Sequence, residues 1–250
     1  MAETPAMTKQ QAELTNSKRS GLDLYKDLAV GSEASFVTFF GYELATFLFA
    51  NLPGLLGYGA RSVFYKSIFK ECGRRPGIGR GVILRRPNSV SIGSKVLIDD
   101  YATLDVRGDK GEIVISDHVS IGRLSSIVSK DGKVILKSGV NIGSYCRVAT
   151  QSLVEIGEST LVAAYAYVGP GNHQHSDTDA PLISQDMEIK GGVKIGSHCW
   201  IGARATILDG VTIGDGAVIG AHSLVNCNIP AKAIAVGTPA KVVKYLDEAA

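Results

Sequence analysis

Residues 189–225 read IKGGVKIGSHCWIGARATILDGVTIGDGAVIGAHSLV, and an aliphatic residue recurs at every sixth position: Ile189, Ile195, Ile201, Ile207, Ile213, Ile219 and Val225. Four positions after most of these stands a small or β-branched residue: Cys199, Ala205, Val211, Ala217 or Ser223. Glycine often follows the aliphatic, as in Ile195-Gly196 and Ile201-Gly202. A period of six matches neither the 3.6 of a helix nor a two-residue alternation carried across glycines. It fits a chain that coils, with three hexads making a triangular turn of about 18 residues. A short strand lies on each face, and coils stack in parallel about 4.8 Å apart. The aliphatics then point inward in ladders, and the small residues fit the corners.

Outward from this stretch the same grammar runs in threes: Ile92/Ile98/Leu104, Ile115/Ile121/Ile127, Leu136/Ile142/Val148 and Ile156/Val162/Val168. The expected fold class is therefore mainly β, a parallel β-helix over residues 81–232. A helical, partly apolar region over 1–80 precedes it. A C-terminal strand and short helix over 233–250 close the stack, the helix opening at Pro239. The repeat breaks in three places. Five extra residues separate Leu104 from Ile115, three separate Ile127 from Leu136, and fifteen separate Val168 from Ile189. Long excursions from a solenoid are functional loops or disordered ones. The protruding loop 169–188 carries two of the five histidines, His173 and His175.

Composition narrows the function classes. Apolar residues make up 45% of the 250, which excludes a disordered chain, and the 29 glycines exceed the usual share of about 7%. A net charge of +2, without aromatic-plus-basic or zinc-finger spacing, offers nothing to nucleic acid. Cys72, Cys146, Cys199 and Cys227 form no CxxC and read as reduced, buried thiols. Residues 1–30 hold no apolar secretory stretch, so a cytoplasmic location is expected. Residues 35–60 carry one charge, Glu43, amid Phe36, Phe39, Phe40, Phe47, Leu48 and Phe49, and residues 61–86 hold eight Lys/Arg. Three arrangements fit: a membrane-spanning helix, an interfacial or re-entrant helix pair with the basic flank on anionic lipid, or helices packed on the β-helix or a neighbouring subunit. The middle one places the enzyme at the cytoplasmic face of the membrane.

Ordered blocks over residues 80–246 resemble the bacterial hexapeptide-repeat O-acetyltransferases, similar to the maltose/galactoside and xenobiotic enzymes, whose fold is a left-handed parallel β-helix. The blocks are Ile156–Ala164 running to Gly171-Asn172-His173, then Val193–Ala203 with its Ile195-Gly196-Ser197-His198-Cys199-Trp200-Ile201-Gly202 core. Gly210–Gly216 and Val236-Gly237-Thr238-Pro239-Ala240-Lys241 follow. The resemblance implies transfer of an acetyl group from acetyl-CoA, as co-substrate, to a saccharide hydroxyl, with no metal required. It implies His173 as the general base and the Ala203 N–H as oxyanion donor. It implies Trp200, Gly202, Ala203 and Ala221 along the CoA arm, with Lys241 and Lys244 near its phosphates. A base must take the hydroxyl proton as oxygen attacks, and a neutral imidazole suits that at neutral pH. His175 is the rival base. Asn172, His175, Asp177 and Tyr145 are candidates for acceptor contact, Tyr145 standing where the family's acceptor-binding asparagine is replaced. The family's frequent Thr-Lys after the last full hexad is here Asn226-Cys227-Asn228. A homotrimer with sites between subunits is implied, and a lipid-linked or surface-polysaccharide acceptor follows from the apolar N-terminal region. Alternatives are an antibiotic-modifying O-acetyltransferase, a γ-type carbonic anhydrase-like protein and a non-catalytic β-helix. His118, His198 and His222 read as exposed surface residues.

Overall fold

Short strands alternate with tight corners because one aliphatic per hexad seeks the interior while the chain must turn three times per coil. The computed structural model describes residues 7, 8, 11, 18–169 and 172–246, and of Asn172 and His173 the backbone alone. Three sheets of seven, nine and seven strands wrap a single core. The first sheet runs from Glu71–Cys72 to Thr212–Ile213, the second from Gly77–Ile78 to Ala240–Tyr245, and the third from Ile83–Arg85 to Leu224–Val225. Pairing is in parallel register, hexad on hexad: Ile142 sits beside Ile121 and Val162, and Ile201 beside Val162 and Ile219. These side chains are fully buried, and each contributes about 1.5–3 kcal/mol.

The corners explain the small residues. Thr160 Oγ1 donates to Gly196 O (2.8 Å) and accepts from Cys199 N (3.1 Å), tying one coil to the next. Ser125 does the same to Gly143 O and Cys146 N. The thiols take part as well: Cys146 Sγ donates to Ala163 O and Cys199 Sγ to Gly214 O. Burial pushes both thiols above their ordinary pKa, which keeps them as hydrogen-bond donors. Cys227, in contrast, is exposed and Cys72 half-buried, so the expectation of four buried thiols holds for two.

Three further expectations are corrected. The first coil begins at Glu71, not 81: Cys72, Ile78 and Leu84 keep the six-residue spacing, obscured in sequence by the Arg74-Arg75-Pro76 and Arg80 corners. Ile189 is no rung of the ladder but half-exposed; the coil resumes at Val193, which pairs with Val154 after the positive-φ turn Gly191-Gly192. The short C-terminal helix is instead a strand, Ala240–Tyr245, antiparallel to Ala233–Gly237. Val242, Val243 and Tyr245 favour a pleated surface, and the open edge of the second sheet supplies the backbone partners.

The described part of the N-terminal region includes the helices α1 (Gly21–Val30), α2 (Phe36–Phe49) and α3 (Gly54–Phe64). Ser20 and Asp23 make a reciprocal cap at the start of α1, and Ser35 caps α2. Buried Arg61 locks the hairpin to the first coil, donating to Phe49 O, Leu52 O and Ile78 O at 2.8–2.9 Å. Arg86 holds α1 through an ion pair with Asp27, and Lys70 pairs with Glu112. Three of the eight basic residues are thus engaged in the protein, while Lys66, Arg74, Arg75 and Arg80 are exposed. No described helix is long and apolar enough to cross a membrane. Yet Val37, Phe47, Leu55 and Leu56 are each more than 80% exposed, with Phe36 and Phe40 above 60%.

Candidate active site

The second sheet and the corner after it gather most of the candidate residues. Trp200 opens the strand Trp200–Ile201 and, because strand side chains alternate, faces outward while Ile201 is buried. It is 54% exposed on a flat face rather than packed in a corner. Register carries that position across the sheet: Trp200 pairs with Val218, Val218 with Ile234, and Ile234 with Lys244. Three strand spacings put Lys244 about 14 Å from Trp200 on the same face. Lys241 pairs with Val236, also outward-facing. Residues three apart on a regular strand point to opposite sides. Here the register slips between Ile234 and Ala235, making Val243 an extra residue, so both lysines share one face. Neither has a carboxylate partner among the described residues.

At the corner after Ile201, Gly202 has no room for a side chain: a Cβ would lie 2.5 Å from Ala221 N and 2.7 Å from Gly220 C. The next residue, Ala203, has an N–H that donates to no group of the chain among the described residues. Ser144 N and Ala164 N, at the same corner in the two preceding coils, are likewise without an acceptor among the described residues, whereas three other corner amides are capped by an aspartate one coil on. Arg80 N donates to Asp100 Oδ1 (2.7 Å), Ser94 N to Asp117 Oδ1 (2.6 Å) and Ser197 N to Asp215 Oδ1 (2.7 Å). Above Ala203 that capping position holds Ala221, which has nothing to offer. The result is a narrow corner with an available donor beside an exposed indole.

The long excursion leaves the coil after the Tyr167–Val168 strand, and Asn172–His173 pairs antiparallel with Met187–Glu188 as a two-stranded arm. The His173 and Asn172 side chains lie outside the described residues, so the arm places their backbone alone. His175 is exposed. Asp177 serves the arm itself, its Oδ1 accepting from Asp179 N and Ala180 N. Tyr145 stands at the same type of corner as Ala203, two coils away, where its ring stacks on Tyr165 (centroids 4.9 Å apart, planes 3° from parallel). Arg204 lies over the other side of Tyr165 at 5.3 Å. Sequence reasoning missed Tyr165 and Arg204. The hexad period could have found them, since each immediately precedes an inward small side chain, Ala166 or Ala205, as Tyr145 precedes Cys146. In the Asn226-Cys227-Asn228 corner, Asn228 Oδ1 accepts from Thr212 N at 2.8 Å, a local structural task. His118, His198 and His222 are exposed corner residues at positive φ, in accord with the sequence reading. A separate groove of about 610 Å³, lined by Lys137, Glu155, Glu158, Lys194 and Asp215, runs along the corner before the second sheet, at the other edge from Ala203.

Residues 192–227 match the family described as bacterial transferase hexapeptide (six repeats). Over that stretch the chain carries the family's six-residue repeat, and the described coils stack as a parallel β-helix. This hexapeptide-repeat protein is 34% identical over 161 residues to a probable acetyltransferase of Mycobacterium tuberculosis, covering 64% of the chain and 53% of that relative. It is 35% identical over 119 residues to Escherichia coli WbbJ, named for O-acetyl transfer in lipopolysaccharide biosynthesis, covering 45% of the chain and 61% of WbbJ. The chain thus spans between half and two thirds of the length of these relatives. Among solved structures, the polySia-specific acetyltransferase NeuO aligns with a TM-score of 0.56 at 26% identity, over 71% of this chain and 85% of NeuO.

Proposed function

We propose that this hexapeptide-repeat protein is an acetyl-CoA-dependent O-acetyltransferase acting on a saccharide hydroxyl. The observation that carries the reading is the uncapped Ala203 N–H next to exposed Trp200, on the sheet whose outward face also presents Lys241 and Lys244. The names of the relatives, an O-acetyl transferase and two acetyltransferases, support it. The pantetheine arm of the co-substrate lies along Trp200, Gly202 and Ala221, with its phosphates toward Lys241 and Lys244. His173 takes the proton of the acceptor hydroxyl as its oxygen attacks the thioester carbonyl. The tetrahedral oxyanion accepts from Ala203 N–H. Collapse breaks the C–S bond, and the departing thiolate recovers the proton from the imidazolium, giving an acetyl ester and free CoA. Asn172, His175 and Tyr145 contact the acceptor; no metal takes part.

The reading includes a homotrimer, in which the arm of one subunit meets the Trp200 face of the next. It also includes peripheral contact of residues 35–60 with the cytoplasmic face of a membrane, which suits a lipid-linked or surface-polysaccharide acceptor. The test is His173→Ala, assayed for CoA release with light scattering to verify the assembly. Turnover is expected to vanish with the trimer intact; undiminished turnover removes His173 from the mechanism.

A further inference from the structure

One corner of the β-helix differs from the other in what it displays. At the corner between the first and second sheets, the left-handed position is filled by Arg75, Lys95, His118, Ser159, His198 and Lys232, or by glycine. At the corner between the second and third sheets it is filled by Tyr101, Leu124, Tyr145, Tyr165, Arg204 and His222, with one glycine at Gly81. A residue at φ near +60° is ordinarily Gly, Asn or Asp, whose short side chains bond locally; tyrosine gains nothing of that kind. Tyr145 and Tyr165 are nonetheless about half-exposed, at 46% and 51%. Stacking holds their rings in place, and Arg204 caps the stack.

Two features point outward. Neither phenol hydroxyl has a hydrogen-bond partner among the described residues, and Arg204 forms no ion pair there. A guanidinium held by an aromatic face, with its N–H donors unspent, suits a carboxylate or phosphate. Each of the three follows directly on the corner residue whose amide is uncapped in its own coil: Tyr145 on Ser144, Tyr165 on Ala164, Arg204 on Ala203. The stack therefore begins one residue from the proposed oxyanion donor and extends two coils away from the CoA side.

We infer that Tyr145, Tyr165 and Arg204 form the acceptor platform, binding a saccharide that carries an anionic group. The rings present their polar edges to sugar hydroxyls, and Arg204 takes the acid. This rests on the O-acetyltransferase reading for its location but not for its binding chemistry, and the two can fail separately.

Methyl glucuronide, glucose 1-phosphate and methyl glucoside are titrated into the protein, read by NMR shifts of the tyrosine rings. The first two are expected to bind at least tenfold tighter than the neutral sugar, and whichever binds tighter identifies carboxylate or phosphate as the group recognised. Arg204→Gln is expected to erase that preference. The double variant Tyr145→Ala/Tyr165→Ala is expected to weaken all three ligands and raise the acceptor KM at least tenfold, with the acetyl-CoA KM unchanged. If alanine disturbs the fold, Tyr145→Phe/Tyr165→Phe keeps the stack and still removes the hydroxyls, so loss of sugar binding there carries the same weight. Equal binding of neutral and charged sugars overturns the anionic specificity. A lowered melting temperature with unchanged binding makes the stack merely structural and overturns the platform. Sugar binding that persists while His173→Ala leaves turnover intact overturns the catalytic reading instead.

Discussion

Ala221 matters for what it lacks. At Asp100, Asp117 and Asp215 a carboxylate reaches back one coil and consumes the corner amide. At Ala221 the same geometry leaves the Ala203 N–H free. Ala221→Asp is therefore expected to cap that amide and lower kcat by about 10²–10³, with the melting temperature maintained. Ala221→Val adds comparable bulk without an acceptor and separates crowding from capping. Equal losses in both variants would mean that Ala203 N–H is not the oxyanion donor. The residue level also shows where local spacing is blind. His118, His198 and His222 are recognisable as exposed from their hexad position, whereas the uncapped state of Ala203 depends on Ala221, one full coil further along the chain.

Among the elements, the first sheet is laced by charges on its outer face. Glu112 and Lys133 stand in register on neighbouring strands, 2.7 Å apart, and Lys70 reaches Glu112 at 2.8 Å. Hydrogen bonds from Lys133 and then Lys70 hold the Glu112 carboxyl below its ordinary pKa. A depressed folded-state pKa gives stability that is present above the unfolded value and is lost as pH falls through the folded one. The difference in melting temperature between wild type and Glu112→Gln should thus be positive at pH 7 and shrink below about pH 4. Partial exposure limits the effect to about 1 kcal/mol. A difference that is constant with pH would show that the pairs contribute nothing. The strand Ala240–Tyr245 is instructive at this scale. The helix signal of Pro239 is overridden, because an unpaired sheet edge lies within reach of a β-branched segment.

For the whole molecule, the apolar surface sits at one end. The α2–α3 hairpin exposes Phe47, Leu55 and Leu56, while Ser62 Oγ donating to Pro76 O and Arg61 Nε donating to Ile78 O hold the turn bearing Arg74, Arg75 and Arg80 beside α3. Large exposed apolar side chains gathered on one hairpin mark an interaction surface, and under the proposed function this end meets anionic lipid. Phe47→Ser/Leu55→Ser/Leu56→Ser is expected to reduce co-sedimentation with phosphatidylglycerol vesicles at least tenfold, with assembly size unchanged by light scattering. Unchanged sedimentation would remove this face from lipid contact, and dissociation of the assembly would assign it to subunit contacts instead.

The six-residue period by itself determined the buried ladders from Ile92 onward except at Ile189, the corner residues and the position of the arm's departure. Each depends on a side chain's place within its own hexad, and parallel stacking repeats that environment coil after coil. Tertiary structure alone decided the rest. The C-terminal strand needed a free edge, and the bulge at Val243 needed a partner strand to slip against before Lys241 and Lys244 could share a face. The Tyr145–Tyr165–Arg204 stack needed the arm between Val168 and Val193 to leave and return in register, bringing Tyr165 and Arg204 into contact from far apart in the chain. Such contacts are set by strand pairing between distant segments, which local periodicity does not encode.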